Sequence, residues 1–152
     1  ELTSNFFMTP ASYAPELPGL ISVAATDVVN STQLCSFSNF GAAYVELASP
    51  GCDTARTDLG LFSTLPGNLG GYLAGTSMAT PTATGAVALV VGELQDRTDA
   101  RLTPAQIENL ILSSSTMQTA LTTSVLQGRQ LSLRGTADAI TAQYLRTRWV
   151  CD

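Results

Sequence analysis

Gly75-Thr76-Ser77-Met78-Ala79-Thr80-Pro81 runs without a break into Thr82-Ala83-Thr84-Gly85-Ala86-Val87-Ala88-Leu89-Val90-Val91. Gly75 permits the sharp, close-approach backbone that a turn into a helix often needs. Ser77 falls where that helix starts, and Pro81 lies in its first turns, where a missing N–H costs least. The segment beyond is apolar all round, which reads as a helix buried in a sizeable core rather than one lying on a surface. A serine so placed has its hydroxyl near the positive end of the helix dipole and near unpaired N–H groups. That suits a nucleophile whose reaction builds negative charge beside it. On position alone, a plain N-cap is the competing reading.

The full string Gly-Thr-Ser-Met-Ala-Thr-Pro resembles the nucleophile motif of the subtilisin-like serine proteases, the subtilase family. By that resemblance Ser77 is the acyl-forming serine of a peptide-bond hydrolase. Gly75 and Thr76 would touch substrate, and Tyr72 to Ala74, with Leu73 among them, would flank the leaving-group side. Further passages resemble the family: Pro10-Ala11-Ser12-Tyr13, Ile21-Ser22-Val23-Ala24-Ala25-Thr26-Asp27, Ser36-Phe37-Ser38-Asn39-Phe40-Gly41 and Ser49-Pro50-Gly51. The loop ahead of Pro10 is implied to wall the pocket for the residue preceding the scissile bond, which places Met8 near it. Glu46 stands where family members often hold a carboxylate beside a weak cation site, completed by carbonyls of the Pro-Ala-Ser-Tyr loop. No cofactor is required by the resemblance; a structural Ca2+ or Na+ at Glu46 is the one it allows. A solvated glutamate is the alternative. One departure is visible: Pro81-Thr82-Ala83-Thr84-Gly85 replaces the family's usual Pro-His-Val-Ala-Gly. That His is not the catalytic one, so its loss bears on helix packing more than on chemistry.

A chain of 152 residues is one domain's worth, with apolar content sufficient for a real core. The basic residues number seven, all of them Arg, and the net charge is −5. With no basic cluster, nucleic acid and anionic membranes are poor partners. The longest apolar run is cut by Gly92-Glu93, so no stretch reaches membrane-spanning length. No signal peptide is visible, and the start at Glu1 reads as a processed or truncated end. The chain contains no histidine. A Ser-His-Asp machine cannot be complete within it.

In chain order, Glu1 to Pro18 is loop-like, with Asn5, Pro10, Pro15 and Pro18 as breakers. Leu20 to Ala25 is a short apolar run suited to a strand buried on both faces of a parallel sheet. Asp27 to Gln33 is polar and turn-rich. Leu34 to Gly41 alternates as a strand entering a turn would, and Tyr44 to Ser49 gives another strand, with Pro50-Gly51 as its turn. Cys52 to Gly60 looks like an insertion relative to the family. Leu61 to Leu65 is a short strand closed by Pro66-Gly67, and the glycine-rich Asn68 to Ala74 leads to the serine. Glu93 to Ala100 reads as a charged loop. Thr103-Pro104-Ala105-Gln106 is a strong helix start, with Thr103 as N-cap and Gln106 completing a capping box. Ile107, Leu110 and Ile111 follow at helical spacing. Residues 117–134 carry little signal, and a last amphipathic helix runs from Gly135 to about Arg146.

Of the three cysteines, Cys35 and Cys52 are plausible partners in a secreted chain, because each adjoins a predicted neighbouring strand. Such a link would stabilise by about 3 kcal/mol in the chain-entropy model. Buried free thiols are the alternative. Cys151 would be unpaired or joined outside the chain, and no Cys/His spacing fits a metal.

Strand signals first and helix signals later fit an α/β class: part of a subtilisin-like three-layer domain, a mostly parallel sheet covered by helices. The resemblance assigns residues 1–152 to the C-terminal portion of a subtilase catalytic domain. The Asp, the His-Gly-Thr histidine and the oxyanion Asn would lie upstream. The expectation is therefore a secreted, proteolytically processed serine endopeptidase acting on peptide or protein substrates, with its N-terminal half as a second chain. A sheet cut in half exposes an edge and an uncovered core face. The alternative is an inactive fragment or pseudoenzyme with a binding or structural role.

Overall fold

The computed structural model describes residues 1–2, 7–55, 60–97 and 101–145. The strands at its centre are β1 (Val23–Asp27) and β2 (Leu47–Cys52), which run parallel with Val23 opposite Leu47 and Ala25 opposite Ser49. A hairpin follows, β3 (Leu61–Leu65) and β4 (Leu69–Leu73), antiparallel and separate from the main sheet. Next come helices α1 (Thr76–Arg97) and α2 (Pro104–Ser113), short strands β5 (Thr116–Met117) and β6 (Arg129–Gln130), and helix α3 (Leu133–Ile140). The four-stranded sheet has the order β1-β2-β6-β5, parallel except at β5–β6. This is the expected α/β architecture. Its parallel strands are buried on both faces, so they are made of small and branched apolar residues rather than an alternating pattern.

One face of the sheet carries α1, α2 and α3. Leu47 packs there with Ala83, Ala86, Val90 and Leu94 of α1, Leu110 and Ile111 of α2, and Ile140 of α3. The capping box expected at Thr103 is present: its hydroxyl accepts the Gln106 N–H and the Gln106 side chain accepts the Thr103 N–H. The other face is covered by Leu2, Val45, Leu121 and Val125 packed against Ala24 and Ala48.

Several boundaries differ from the sequence reading. The Glu1 to Pro18 stretch holds a 3₁₀ turn, Ala11–Glu16. Leu34 to Gly41 forms no strand; Leu34 makes one bridge to Thr26, and the rest folds as a loop along the edge of β1. Pro50 and Gly51 do not turn but continue β2, because the strand's outer register still pairs with β1 as far as Cys52. α1 does not end at Gly92 and runs on through Glu93 to Arg97. The low-signal stretch 117–134 supplies β6, which joins the main sheet beside Ala48. α3 starts earlier than Gly135, with Ser132 as its cap, and passes into a π turn, Thr141–Leu145. The predicted continuation to Arg146, and Cys151, lie outside the described residues.

The largest departure concerns α1. It is not buried all round. Ala79, Ala83, Ala86, Val90 and Leu94 face the core, whereas Ser77, Thr80, Pro81, Thr84, Ala88 and Leu89 are exposed. The sheet and the later helices cover one side only. Beside the open face, Gly19, Ile21 and Val23 of the β1 edge and Thr80, Thr84 and Val87 of α1 line a cleft of about 190 Å³.

Candidate active site

Ser77 occupies the second position of α1, one turn from the open cleft. It is not an N-cap: the helix begins at Thr76, and the Ser77 hydroxyl accepts no backbone N–H among the described residues. Gly75 supplies the carbonyl that starts the helix, accepting from the N–H of Met78 at 2.9 Å and of Ala79 at 3.2 Å. The Ser77 N–H has no partner among the described residues. An exposed hydroxyl and an unbonded N–H thus stand together at the positive end of a 22-residue helix. Pro81 lies inside the helix rather than at its first position, so the Ser77 carbonyl loses its usual helical donor four residues on. Thr80 and Thr82 hydroxyls bond back to the carbonyls of Thr76 and Met78 and hold the first turns together.

The other candidate substrate contacts sit as follows. Leu73 ends β4 and is 49% exposed. Thr76 opens α1, its carbonyl taken by Thr80. Gly75 needs no unusual backbone torsion, and a Cβ there would fit in ordinary contact, nothing lying closer than 3.5 Å. Leu73, Gly75, Thr76 and Ser77 are therefore brought together by the strand-to-helix turn. Met8 belongs to a different neighbourhood, where its N–H donates to Ser12 Oγ and its sulfur lies 3.6 Å from Asn39 Nδ2. Next to it, Phe7 meets Tyr13 and Tyr44 edge-on at 4.8 and 6.0 Å.

Glu46 is buried, its carboxylate facing the Ser22 N–H and its own N–H donating to Ser22 Oγ. Burial, with help from the nearby Glu108 carboxylate, pushes its carboxyl above the usual range. The carbonyls of Pro10, Tyr13 and Ala14 accept N–H groups within their own turn. Among the described residues no group of three or more His, Cys, Asp and Glu side chains gathers in one place. Glu108 escaped the sequence reading; it lies half-buried at the border of the apolar face of α2, three residues before Ile111.

Cys35 and Cys52 form a disulfide with their Cα atoms 6.1 Å apart. It packs with Ala25 and Ala79 in one buried cluster, directly under the first turn of α1. Asp27, beside it, is fully buried and accepts N–H groups from Val29 at 2.8 Å, Asn30 at 2.6 Å and Thr54. Burial alone would raise its carboxyl, but these donors outweigh it and lower the pKa from 3.8 to about 2. Because the folded value lies below the unfolded one, the stability Asp27 contributes is complete above pH 3.8 and is lost as pH falls toward 2. Asp27→Asn is expected to lower stability at neutral pH by roughly 2 kcal/mol. It should also flatten that acid limb, as read from denaturant midpoints across pH.

The family model described as "Subtilase family" matches residues 5–135. The chain is 34% identical over 113 residues to the "Thermophilic serine proteinase" of Bacillus sp. (strain AK1), covering 74% of this chain and 25% of that protein. It is 36% identical over 90 residues to "Subtilisin E" of Bacillus subtilis (strain 168), covering 59% and 21%. Among solved structures, that reported as "Structural basis of subtilase cytotoxin SubAB assembly" superposes with a TM-score of 0.74 at 22% identity, over 97% of this chain and 47% of that one. "Structure of self-cleaved protease domain of PatA" gives a TM-score of 0.65 at 29% identity, over 88% and 43%. The chain thus spans about a quarter of the length of these curated relatives and less than half of these solved chains.

Proposed function

The chain belongs to the subtilase family, and we propose that it is the nucleophile-bearing half of a secreted serine endopeptidase that cleaves peptide or protein substrates through an acyl-enzyme on Ser77. The observation that carries this reading is the exposed Ser77 hydroxyl beside its own N–H, neither bonded among the described residues, one helical turn before Thr80 of the uncovered cleft. A companion N-terminal polypeptide supplies the His that takes the serine proton, the Asp that orients it, and an oxyanion Asn. Ser77 Oγ attacks the scissile carbonyl, and negative charge grows on the carbonyl oxygen. The Ser77 N–H, already aimed outward from the helix end, donates to that oxygen together with the upstream Asn. The protonated His then passes its proton to the leaving amine, and water repeats the sequence in reverse to release the acid. Gly75 and Thr76 border the acyl side and Leu73 the leaving-group side, while Met8 contributes to the wall of the preceding-residue pocket.

The uncovered face of α1 and the Val23 end of β1, ahead of the part whose edge the Gln33–Ser38 loop already covers, support a docking site for the companion half. Its core would close the cleft and complete the sheet. Co-expressing this chain with the upstream segment tests the reading: peptide hydrolysis sensitive to a fluorophosphonate should appear only when both are present. A stable pair that neither hydrolyses nor reacts would leave the chain a binding or structural fragment.

A structural Ca2+ or Na+ would find hard oxygen donors in Glu46 and the neighbouring Glu108, and would relieve their mutual repulsion. Added Ca2+ is expected to raise the thermal midpoint of the assembled protein by a few degrees, and Glu46→Gln to remove that increment. An equal Ca2+ shift in the variant would place the ion elsewhere.

A further inference from the structure

We propose that Gly51, with the Cys35–Cys52 bridge directly behind it, is a positioning element for Ser77. The proposal rests on Ser77 being the nucleophile, but not on any particular substrate. Among the described residues the turn into α1 hangs from the sheet by one backbone bond, the Gly75 N–H to the Gly51 carbonyl at 2.9 Å. The same Gly75 peptide, through its carbonyl, receives the N–H groups of Met78 and Ala79 and so sets the axis of the first turn. Whatever fixes Gly75 fixes Ser77.

Gly51 is where the fit is tight. A Cβ at this position would lie 2.6 Å from Ala25 Cβ, 2.8 Å from the Gly75 carbonyl oxygen and 3.1 Å from Ala79 Cβ. None of these atoms is the end of a flexible side chain, so any side chain at 51 must push the nucleophile turn off the sheet. The backbone of Gly51 is not left-handed; space, not torsion, demands glycine. At Gly75, by contrast, a Cβ would make only ordinary contacts, with Met78 Sδ and Ser77 N at 3.5 Å.

The bridge holds the platform still. Cys52 follows Gly51 and is tied to Cys35, whose N–H donates to the Ala25 carbonyl at 2.9 Å. Ala25, Cys35, Cys52 and Ala79 are all buried against one another. The end of β2, the edge of β1 and the first turn of α1 are thereby one packed unit. Opening the bridge frees the end of β2, and with it the anchor of Gly75.

The test uses the assembled two-chain protein. Gly51→Ala is expected to lower kcat on the order of a hundredfold, the size of a roughly 1 Å misplacement of a reacting group, with KM changed less than about threefold. The double variant Cys35→Ala/Cys52→Ala should lower kcat about tenfold. It should also speed amide hydrogen exchange in the peptide spanning Gly75–Ala79 more than in one spanning α2. If Gly51→Ala fails to fold, the double variant decides the matter. The exchange readout does not need catalysis, so it distinguishes a failed platform from an inactive protein. Wild-type kcat in a folded Gly51→Ala, or exchange at Gly75–Ala79 unchanged relative to α2 in the double variant, would overturn the proposal.

Discussion

Replacing Ser77 with alanine in the assembled protein is expected to lower kcat by roughly a million-fold, the scale seen when the nucleophile of such a triad is deleted. Folding should be unaffected. The Ser77 side chain is exposed, and among the described residues nothing bonds its hydroxyl, so truncation removes no cap and opens no cavity. That separation makes the variant informative: thermal stability and pairing with the upstream half should match the wild type while turnover disappears. A variant that keeps more than a thousandth of the wild-type rate would mean that another group attacks the substrate. A variant that loses stability instead would give Ser77 a structural role that its surroundings do not indicate.

The second large effect concerns assembly. Thr84 lines the cleft on the open face of α1, and its hydroxyl bonds only to the Thr80 carbonyl within the helix. Thr84→Arg should therefore leave this chain's own packing intact. In the paired protein, however, a long cation would be forced into the face that the companion half must cover. An unmatched charge and an overpacked core both oppose docking, and pairing affinity should fall about a hundredfold or more. Asp138→Ala is the control, because its ion pair with Arg134 is almost wholly exposed and should contribute little. In isolation, the wild-type chain should self-associate through the same face, hiding Ile21, Val23 and Val87 of the cleft. Sedimentation of the chain alone and with its upstream half reads both effects. A monodisperse, well-folded lone chain would contradict them.

Local chemistry made much of this legible. The Gly75–Pro81 motif pointed to the helix start, the Thr103–Gln106 box marked α2, and Pro66-Gly67 marked the turn after β3, although the glycine-rich approach beyond it was not read as the strand β4. The Cys35–Cys52 bridge was one of two readings open; the strand expected at Cys35 is a loop, but that loop lies along β1 and brings Cys35 to Cys52. What escaped was set by neighbours distant in sequence. β6 is only Arg129–Gln130 and has no pattern of its own; it is a strand because Ala48 of β2 offers an edge. Pro50-Gly51 looked like a turn because that pair often is one, yet the pairing with β1 passes over Gly51 as a bulge and resumes at Cys52. Asp27 read as one polar residue among several. Its clearest clue was its place at the end of an apolar run, where a carboxylate can collect the N–H groups of the following turn. The face of α1 misled for a different reason. Its run of small and apolar residues implies burial on every side, and among the described residues only one side has a cover.

The most direct test of the central claim is the intact mass of the native preparation, taken before and after reaction with a fluorophosphonate. A co-purifying upstream polypeptide and one covalent adduct, mapping to Ser77 after digestion, are expected. A lone chain of these 152 residues that takes up no adduct would contradict it. So would an adduct on one continuous longer polypeptide, which would keep the nucleophile but remove the separate companion chain.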